Sequence, residues 1–309
     1  FSILFISLED TPILKKQLGL LVAFLIYYTY KEYYKYFHID TVYFALMTLV
    51  FGAIFQYIFP EIFGSFFENF INHIRYSPEQ GRGLTSLTPE PAFFAASLMV
   101  ISFILSTEKM KKIEPIGRYY FFQFIIIFFL LMTKSFVSII FLVFILFHLF
   151  NIKKSLFIII TIFALTGLQE GNHRAAVIFN KIEAGNVFSD KSISHRVSNL
   201  YSAWYTITTS PLGYGSGSFK RIAFVAADSK PDFYLLEDDS AGVVVSSFSR
   251  LVVEMGLFFI VFLLYIYIFK HKGRVVPKLA SFFMLLVTFP VVYPGIWILL
   301  YLSGDYEKK

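Results

Sequence analysis

Near-continuous apolar blocks recur along this chain, and each approaches the length of one membrane crossing. A helix needs roughly 20 such residues to cross about 30 Å of hydrocarbon. The candidates are Gln17 to Tyr30, Thr41 to Phe59, Glu90 to Ser106, Arg118 to Met132, Ser135 to Phe150, Ser155 to Leu168, Ser246 to Phe269 and Pro277 to Leu302. Several are short, so their ends should extend into flanking polar residues. Phe1 to Leu8 reads as the end of a further span. The chain opens inside that run without an initiator Met, as expected of a sequence missing the N-terminal part of its parent and its first spans. The last block contains Pro290 and Pro294, which makes it one kinked helix or a re-entrant pair. The expected fold is all-α: a polytopic integral membrane helix bundle of about nine or more spans. Composition agrees, since 57% of residues are hydrophobic, 20% aromatic and only 16% charged, too apolar for a soluble core.

Basic residues in the short connections orient the bundle. Lys31 and Lys35, then Lys109, Lys111, Lys112 and Arg118, then Lys153 and Lys154, then Lys270, Lys272, Arg274 and Lys278 alternate so as to share one side, the cytoplasmic one. The formal charge of +6 is thereby accounted for and calls for no nucleic acid. The absence of cysteine removes disulfides, thiolate metal sites and thiol nucleophiles. On the outer side fall the loop from Asn72 to Pro89, the tight turn Thr133-Lys134-Ser135, and a polar stretch from Leu168 to Val245. These three segments are expected to converge. The chain reads as one polytopic domain over 1–309, capped on its outer face by a large loop over 169–245.

That loop, of roughly 75 residues, is far longer than an ordinary connection, and loops of such length are usually functional or disordered. Its composition is that of a folded cap. It holds two amphipathic segments, His173 to Gly185 and Ser194 to Ile207, followed by a glycine turn, Pro211 to Phe219. Ala175, Ile178, Phe179 and Ile182 form one helical stripe, with Arg174 and Lys181 to the other side; Ile193, Val197, Leu200, Trp204 and Ile207 form a second, with Arg196 at its edge. Charge is sorted as well: residues 169–221 carry six Lys or Arg against three acids, a net +3, whereas residues 222–245 carry one Lys against five acids, a net −4. The basic half suits an anionic ligand, and guanidinium suits phosphate because its planar fork bonds two oxygens.

Each candidate has a plainer reading beside it. In GRGLTSLTPEPAFF, Gly81 to Phe94, Thr88 caps a helix, Pro89 occupies its first turn and Glu90 sits at the positive end of its dipole, which leaves Arg82 unexplained. An arginine bordering an apolar face would serve a lipid-linked phosphate, or would snorkel over apolar surface. His173 and His195, each preceding an arginine, read first as ordinary hydrogen-bonding residues. Arg250 inside an apolar block is a functional candidate because a charge in hydrocarbon costs a few kcal/mol or more; an i,i+4 ion pair with Glu254 is the structural alternative. Glu237, Asp238 and Asp239, with Asp228 and Asp232, read as a solvated acidic loop before they read as a Mg²⁺ or Ca²⁺ site. No zinc pairing, P-loop or nucleophile elbow occurs, and the glycines of PLGYGSGSF lack a dinucleotide site's strand-to-helix context. No metal and no cofactor is expected.

From about Thr41 onward the chain resembles the O-antigen polymerase (Wzy) family and the related O-antigen ligases, bacterial inner-membrane enzymes with a large periplasmic loop. The resemblance rests on the Arg82-to-Glu90-Pro91 segment that opens a span, on the short outer turn at Thr133 to Ser135 with Lys134 where arginine is common, on Arg196 to Leu200 leading into the glycine turn, and on the spacing of Arg174 from Gly185. Ligases carry a His eleven residues before a glycine near the loop's end. Counting back from Gly256 reaches Val245, with no His nearby, so polymerase is preferred over ligase.

The resemblance implies glycosyl transfer at the periplasmic face between undecaprenyl-pyrophosphate-linked glycans, one as donor and one as acceptor, building O-antigen or capsular polysaccharide. It also implies a chain-length regulator and a flippase as partners. Such a reaction needs a stabilised pyrophosphate leaving group, which arginines supply without metal, and a base for the acceptor hydroxyl. Arg82, Arg174, Arg196 and Arg250 are assigned to the phosphates, with Lys134 behind them and His195 in the substrate-binding group. Glu90 is named first as base and Asp239 second. Tyr201, Trp204, Tyr205 and Tyr214 are the candidate sugar platforms, with an interfacial aromatic belt as the plainer reading. The competing class is a transporter or flippase for a lipid-linked anionic solute, which would show broken helices in two related halves and charge near the bilayer midplane. A scaffold has no need of several arginines on one side.

Overall fold

The computed structural model describes residues 22, 25–33, 38–67, 83–88, 90–107, 115–150, 155, 191–229, 246–270, 274–287, 289 and 293–304. Among them the regular elements are helices, so the protein is all-α. The chain divides into two compact units, Tyr33–Asn180 with Tyr306–Lys309, and Phe1–Glu32 with Lys181–Asp305.

The first of these units holds α1 (Ile39–Ile58), α2 (Pro60–Phe67), α3 (Pro91–Leu105), α4 (Ile116–Met132) and α5 (Phe136–Leu149). Helix α3 is its centre and packs on α1, α4 and α5. Every α3 residue except Phe93 and Ser97 is buried, as befits a helix that is apolar all round. The sequence places its cap at Thr88, but the helix begins at Pro91 with Glu90 in the N-cap position. The cause is local: a residue before proline is pushed out of the helical region, and Glu90 is extended, at φ −143° and ψ 152°. Thr88 turns back instead and donates to the Thr85 carbonyl at 2.6 Å.

Two polar clusters interrupt this apolar interior. Between α3 and α4, Ser102 Oγ donates to Gln123 Oε1 at 2.7 Å, Gln123 Nε2 donates to Ser106 Oγ at 3.3 Å, and Ser106 Oγ meets the Tyr119 hydroxyl at 3.0 Å. Satisfied groups of this kind fix helix register where apolar contacts alone would slide. The second cluster holds the buried loop of residues 83–88. Gln56 on α1 accepts the N–H groups of Thr85 and Ser86, each at 2.9 Å, on its Oε1 and donates to Thr85 Oγ1 at 2.8 Å. Ser86 sits at φ +52°, a left-handed conformation that costs a non-glycine residue energy and is held by the Gln56 bond.

The other unit contains α6 (Lys191–Thr209), α7 (Phe219–Asp228), α8 (Ser247–Met255), α9 (Leu257–Leu264) with the π-helical turn Tyr265–Lys270, α10 (Val275–Val287) and α11 (Pro294–Leu302). Residues 25–32, also helical, place Tyr27 and Tyr30 edge-on to Tyr301, and Tyr27 to Trp297, within this unit. Helices α6 and α7 form an antiparallel hairpin, joined at its open end by Tyr201 and Ser229, whose hydroxyls lie 3.2 Å apart. Helix α8 runs beside α6 in the same direction: the Ser246 N–H reaches Asn199 Oδ1 at 3.3 Å near one end, and the Leu257 N–H reaches the Pro211 carbonyl at 2.8 Å near the other.

The block from Ser246 to Phe269, expected as one span, is two helices broken at Gly256, which takes φ +61° and ψ −145°. The close passage of Pro211 forces the break, since a Cβ on Gly256 would lie 2.1 Å from the Pro211 carbonyl oxygen. The final block is a pair rather than a kinked helix. Helices α10 and α11 pack together, and the Arg274 N–H returns to the Ser303 carbonyl at 2.9 Å. Among the described residues Ile39–Ile58 alone is long and apolar enough to cross a membrane; Pro91–Leu105, Ile116–Met132, Val137–Leu149, Leu257–Ile268 and Val275–Leu286 are apolar but shorter.

Gln56→Leu keeps the volume of the side chain but strands the Thr85 and Ser86 N–H groups. Each stranded buried donor costs about 1–3 kcal/mol, so the variant should lose roughly 2–6 kcal/mol and melt several degrees lower. An unchanged melting temperature would show that Gln56 does not hold the loop.

Candidate functional site

The C-terminus of α8 is where the α6–α11 unit brings its chemistry together. A helix leaves its last carbonyls without intrahelical donors, and here the glycine turn supplies them. The Tyr214 N–H bonds the Val253 carbonyl at 2.9 Å and the Gly215 N–H bonds the Glu254 carbonyl at 3.1 Å. So close an approach explains the glycines. Gly213 is left-handed, at φ +85°, and a Cβ there would lie 2.6 Å from the Gly256 nitrogen and 2.7 Å from the Glu254 carbonyl oxygen.

The Glu254 side chain completes the joint. Its Oε1 accepts the Gly217 N–H at 3.2 Å and Arg250 Nε at 3.0 Å. The carboxylate is 6% exposed and the Arg250 side chain 18%. The i,i+4 pair offered by the sequence as the structural alternative for Arg250 therefore forms, and it fixes the plane of the guanidinium. The Nη edge has no partner among the described residues, so it remains available to an anion, to which it can offer two donors.

Two cations follow the glycine turn. Helix α7 starts just beyond Gly217 without a side-chain cap, and Lys220 and Arg221 stand exposed in its first turn. Cations at this end of a helix add to the dipole's positive pole instead of cancelling it. Behind them Phe219, Ile222, Ala223 and Val253 form a small apolar core, with Tyr205 and Tyr214 packed against it.

The remaining cap candidates lie on α6. Arg196 and His195 are half-buried, and the His195 carbonyl accepts Asn199 Nδ2 at 2.9 Å. Trp204 presents an open ring, 62% exposed. Tyr201 is held by Ser229 and Tyr214 by Thr209, the latter pair of hydroxyls 2.8 Å apart. Of the four proposed sugar platforms, Trp204 is thus the open one, while Tyr201, Tyr205 and Tyr214 are committed to packing or hydrogen bonds. The helix also buries the face opposite to its apolar stripe. Ser194, Ser198, Asn199, Ser202, Ala203 and Thr206 are buried, while Leu200 and Trp204 are exposed. Small side chains let α6 and α8 approach closely, and Ser202 and Thr206 satisfy their hydroxyls on carbonyls one turn back, at 2.8 Å and 2.9 Å.

In the α1–α5 unit, Glu90 is half-buried at the start of α3, and Lys134 is exposed in the tight turn between α4 and α5 at φ +48°. Two of the three segments expected on the outer side do meet there. The Leu84 N–H bonds the Met132 carbonyl at 3.2 Å, and a Cβ on Gly83 would lie 2.4 Å from the Met132 and Thr133 carbonyl oxygens. Arg82, Arg174, Asp239 and the amphipathic segment from His173 to Gly185 lie outside the described residues. The sequence reading overlooked Gln56, although an amide inside an apolar span is a signal that could have found it.

Compared with known proteins, the chain matches no family model, no curated protein and no solved structure.

Gly213→Ala should detach the glycine turn, because neither the left-handed backbone nor the space admits a methyl group. Glu254→Ala removes the acceptor shared by Gly217 and Arg250 and should cost about 2–3 kcal/mol. Glu254→Gln keeps an oxygen in place and should cost less. Melting curves in detergent check the order; equal stability of all three variants and the parent would dissolve the joint described above.

Proposed function

We propose that this protein is an integral membrane glycosyltransferase that polymerises glycan repeat units carried on undecaprenyl pyrophosphate, at the outer face of a bacterial inner membrane. The observation that carries the reading is the Arg250 guanidinium, clamped at Nε by Glu254 with its Nη edge open. It is a rigid two-donor anchor of the kind a departing pyrophosphate requires. Lys220 and Arg221 in the first turn of α7 raise the positive potential around it. Arg196 supplies a further guanidinium on α6, and Trp204 an open aromatic face for a sugar ring.

The exposed surface supports the membrane part of the reading. Helix α1 bears Phe44 at 75% exposure together with Phe51 and Tyr57; α4 bears Ile116 and Phe124, and α9 bears Phe258 and Val261. Aromatic surface on this scale would drive a protein in water to aggregate, and in hydrocarbon it is the ordinary outer face. The buried Gln56 and Gln123 clusters fit the same medium, in which polar groups turn inward.

A transporter for a lipid-linked anionic solute is the second reading. The break at Gly256, beside an ion pair within an apolar block, is the feature that favours it, because discontinuous helices line transport sites. The open guanidinium edge beside that break is what keeps glycosyl transfer the preferred reading.

Purified protein in nanodiscs, given undecaprenyl-pyrophosphate repeat units in the presence of EDTA, should build a ladder of lipid-linked glycans on a gel. Arg196→Ala and Arg82→Ala should abolish the ladder while the protein still inserts and folds, and lysine at either position should rescue poorly because a point charge cannot replace the fork. Arg250→Lys should keep the pair with Glu254, and with it most of the stability, yet lose most of the product. Glycan crossing the bilayer unchanged would establish the transporter instead, and transfer onto lipid A a ligase.

A further inference from the structure

Helix α6 is built inside out for a helix in water. Its serine, asparagine and threonine face is buried, whereas on its apolar stripe Leu200 and Trp204 are exposed and Ile193, Val197 and Ile207 are half-buried. In water this arrangement loses on both sides: exposed large apolar side chains forgo the gain of burial, and buried hydroxyls lose their hydration. In hydrocarbon the balance reverses. Burying an apolar side chain gains little there, and small hydroxyl side chains let neighbouring helices approach.

The open face does not stop at the end of α6. Leu212, 86% exposed, lies beside the Pro211 carbonyl that receives the Leu257 N–H. From Leu257 the exposed apolar line continues along α9 and the π-turn through Phe258, Val261, Leu264, Tyr265 and Ile268. Exposed apolar side chains thus stand on both sides of the Pro211–Leu257 contact, on α6 and on a helix read as a span.

Resting on the membrane reading above, we infer that the α6–α7 hairpin re-enters the bilayer alongside α8, with the Leu200–Trp204–Leu212 face against lipid acyl chains and the glycine turn as its buried tip. The hairpin is not a cap standing in water above the membrane. Helix α6 descends beside α8, the turn docks on the Gly256 break, and α7 climbs back until Ser229 meets Tyr201. Much of the tip's backbone is paired: the Tyr214, Gly215 and Gly217 N–H groups find acceptors on α8, and irregular backbone is tolerated in a membrane only where it is buried in protein in this way. At 1.5 Å per residue, Trp204 lies about 12 Å along the helix axis from Arg196. Arg196 falls toward the headgroups and Trp204 among the chains.

The chain has two tryptophans, so Trp297→Phe leaves Trp204 as sole emitter. The difference in emission between the parent and Trp204→Phe isolates the same signal without disturbing Trp297. Reconstituted in bilayers of acyl-brominated phosphatidylcholine, Trp204 should lose most of its emission and be nearly insensitive to aqueous iodide. A tryptophan placed at Phe258 in a tryptophan-free background reports on the membrane reading itself. If the Phe258→Trp probe is quenched by bromine while Trp204 is quenched only by iodide, the hairpin stands in water and the inference is overturned. If Trp204 answers to neither quencher, protein covers this face, a second copy or another partner, and the inference is again overturned. Failure of both probes to sense bromine would overturn the membrane reading together with the hairpin's placement.

Discussion

The carboxylate of Glu254 is the contact on which the α6–α11 unit depends. A helix that breaks inside an apolar block exposes carbonyls on one side of the break and amides on the other, and neither can be left unpaired away from water. Glu254 meets this need with two groups at once. Its backbone carbonyl takes the Gly215 N–H, and its side chain takes the Gly217 N–H and Arg250 Nε. One residue thus ties the helix end, the glycine turn and the arginine into a single joint. The left-handed glycines are the geometric counterpart of that joint, since any Cβ at Gly213 or Gly256 would occupy the space through which turn and helix approach.

The α1–α5 unit solves the same problem with a neutral group. Its buried loop is held by Gln56, which accepts two N–H groups and donates to a hydroxyl. An amide carries both functions and needs no counter-ion, so the loop can be plugged into apolar surroundings at no electrostatic cost. A carboxylate buried to the same degree requires a cation, and in the α6–α11 unit that cation is an arginine with a second edge to offer. The chemical difference between the two clamps separates a loop that is only held from one that also presents charge.

Much of the helical framework was legible in the sequence. The blocks at Thr41 to Phe59, Glu90 to Ser106, Arg118 to Met132 and Ser135 to Phe150 each contain one helix within a few residues of the expected ends, because uninterrupted apolar runs leave little else to form. The breaks were harder to read. Gly256 looks like an ordinary glycine within a span, and only the approach of Pro211, 45 residues earlier in the chain, explains its backbone. Pro91 set the start of α3 by restricting Glu90, a purely local effect that the Thr88 cap signal obscured. Periodicity located the stripe on α6, but it could not show that the small polar face opposite would be the buried one. Tyr205 and Tyr214, named as sugar platforms, lie partly buried against the Phe219 and Val253 core, a packing that sequence alone does not show.

Clamping an arginine through Nε costs attraction and gains orientation. Glu254 cancels part of the Arg250 charge, so the open edge draws an approaching anion less strongly than a lone guanidinium would at the same depth. Transition-state stabilisation depends on something else. Donors already fixed where negative charge will develop need no reorganisation when it appears, whereas a free arginine side chain must surrender rotamer freedom on each encounter. Lys220 and Arg221, on the positive end of α7, restore the long-range attraction that Glu254 removes. On the proposed reading, in which a glycosyl transfer releases pyrophosphate, this would divide the work: the cations at the start of α7 would draw the substrate in, and the clamped guanidinium would discriminate between its bound and departing states. A transported anion gains nothing from such discrimination, because it leaves the site with the charge it brought.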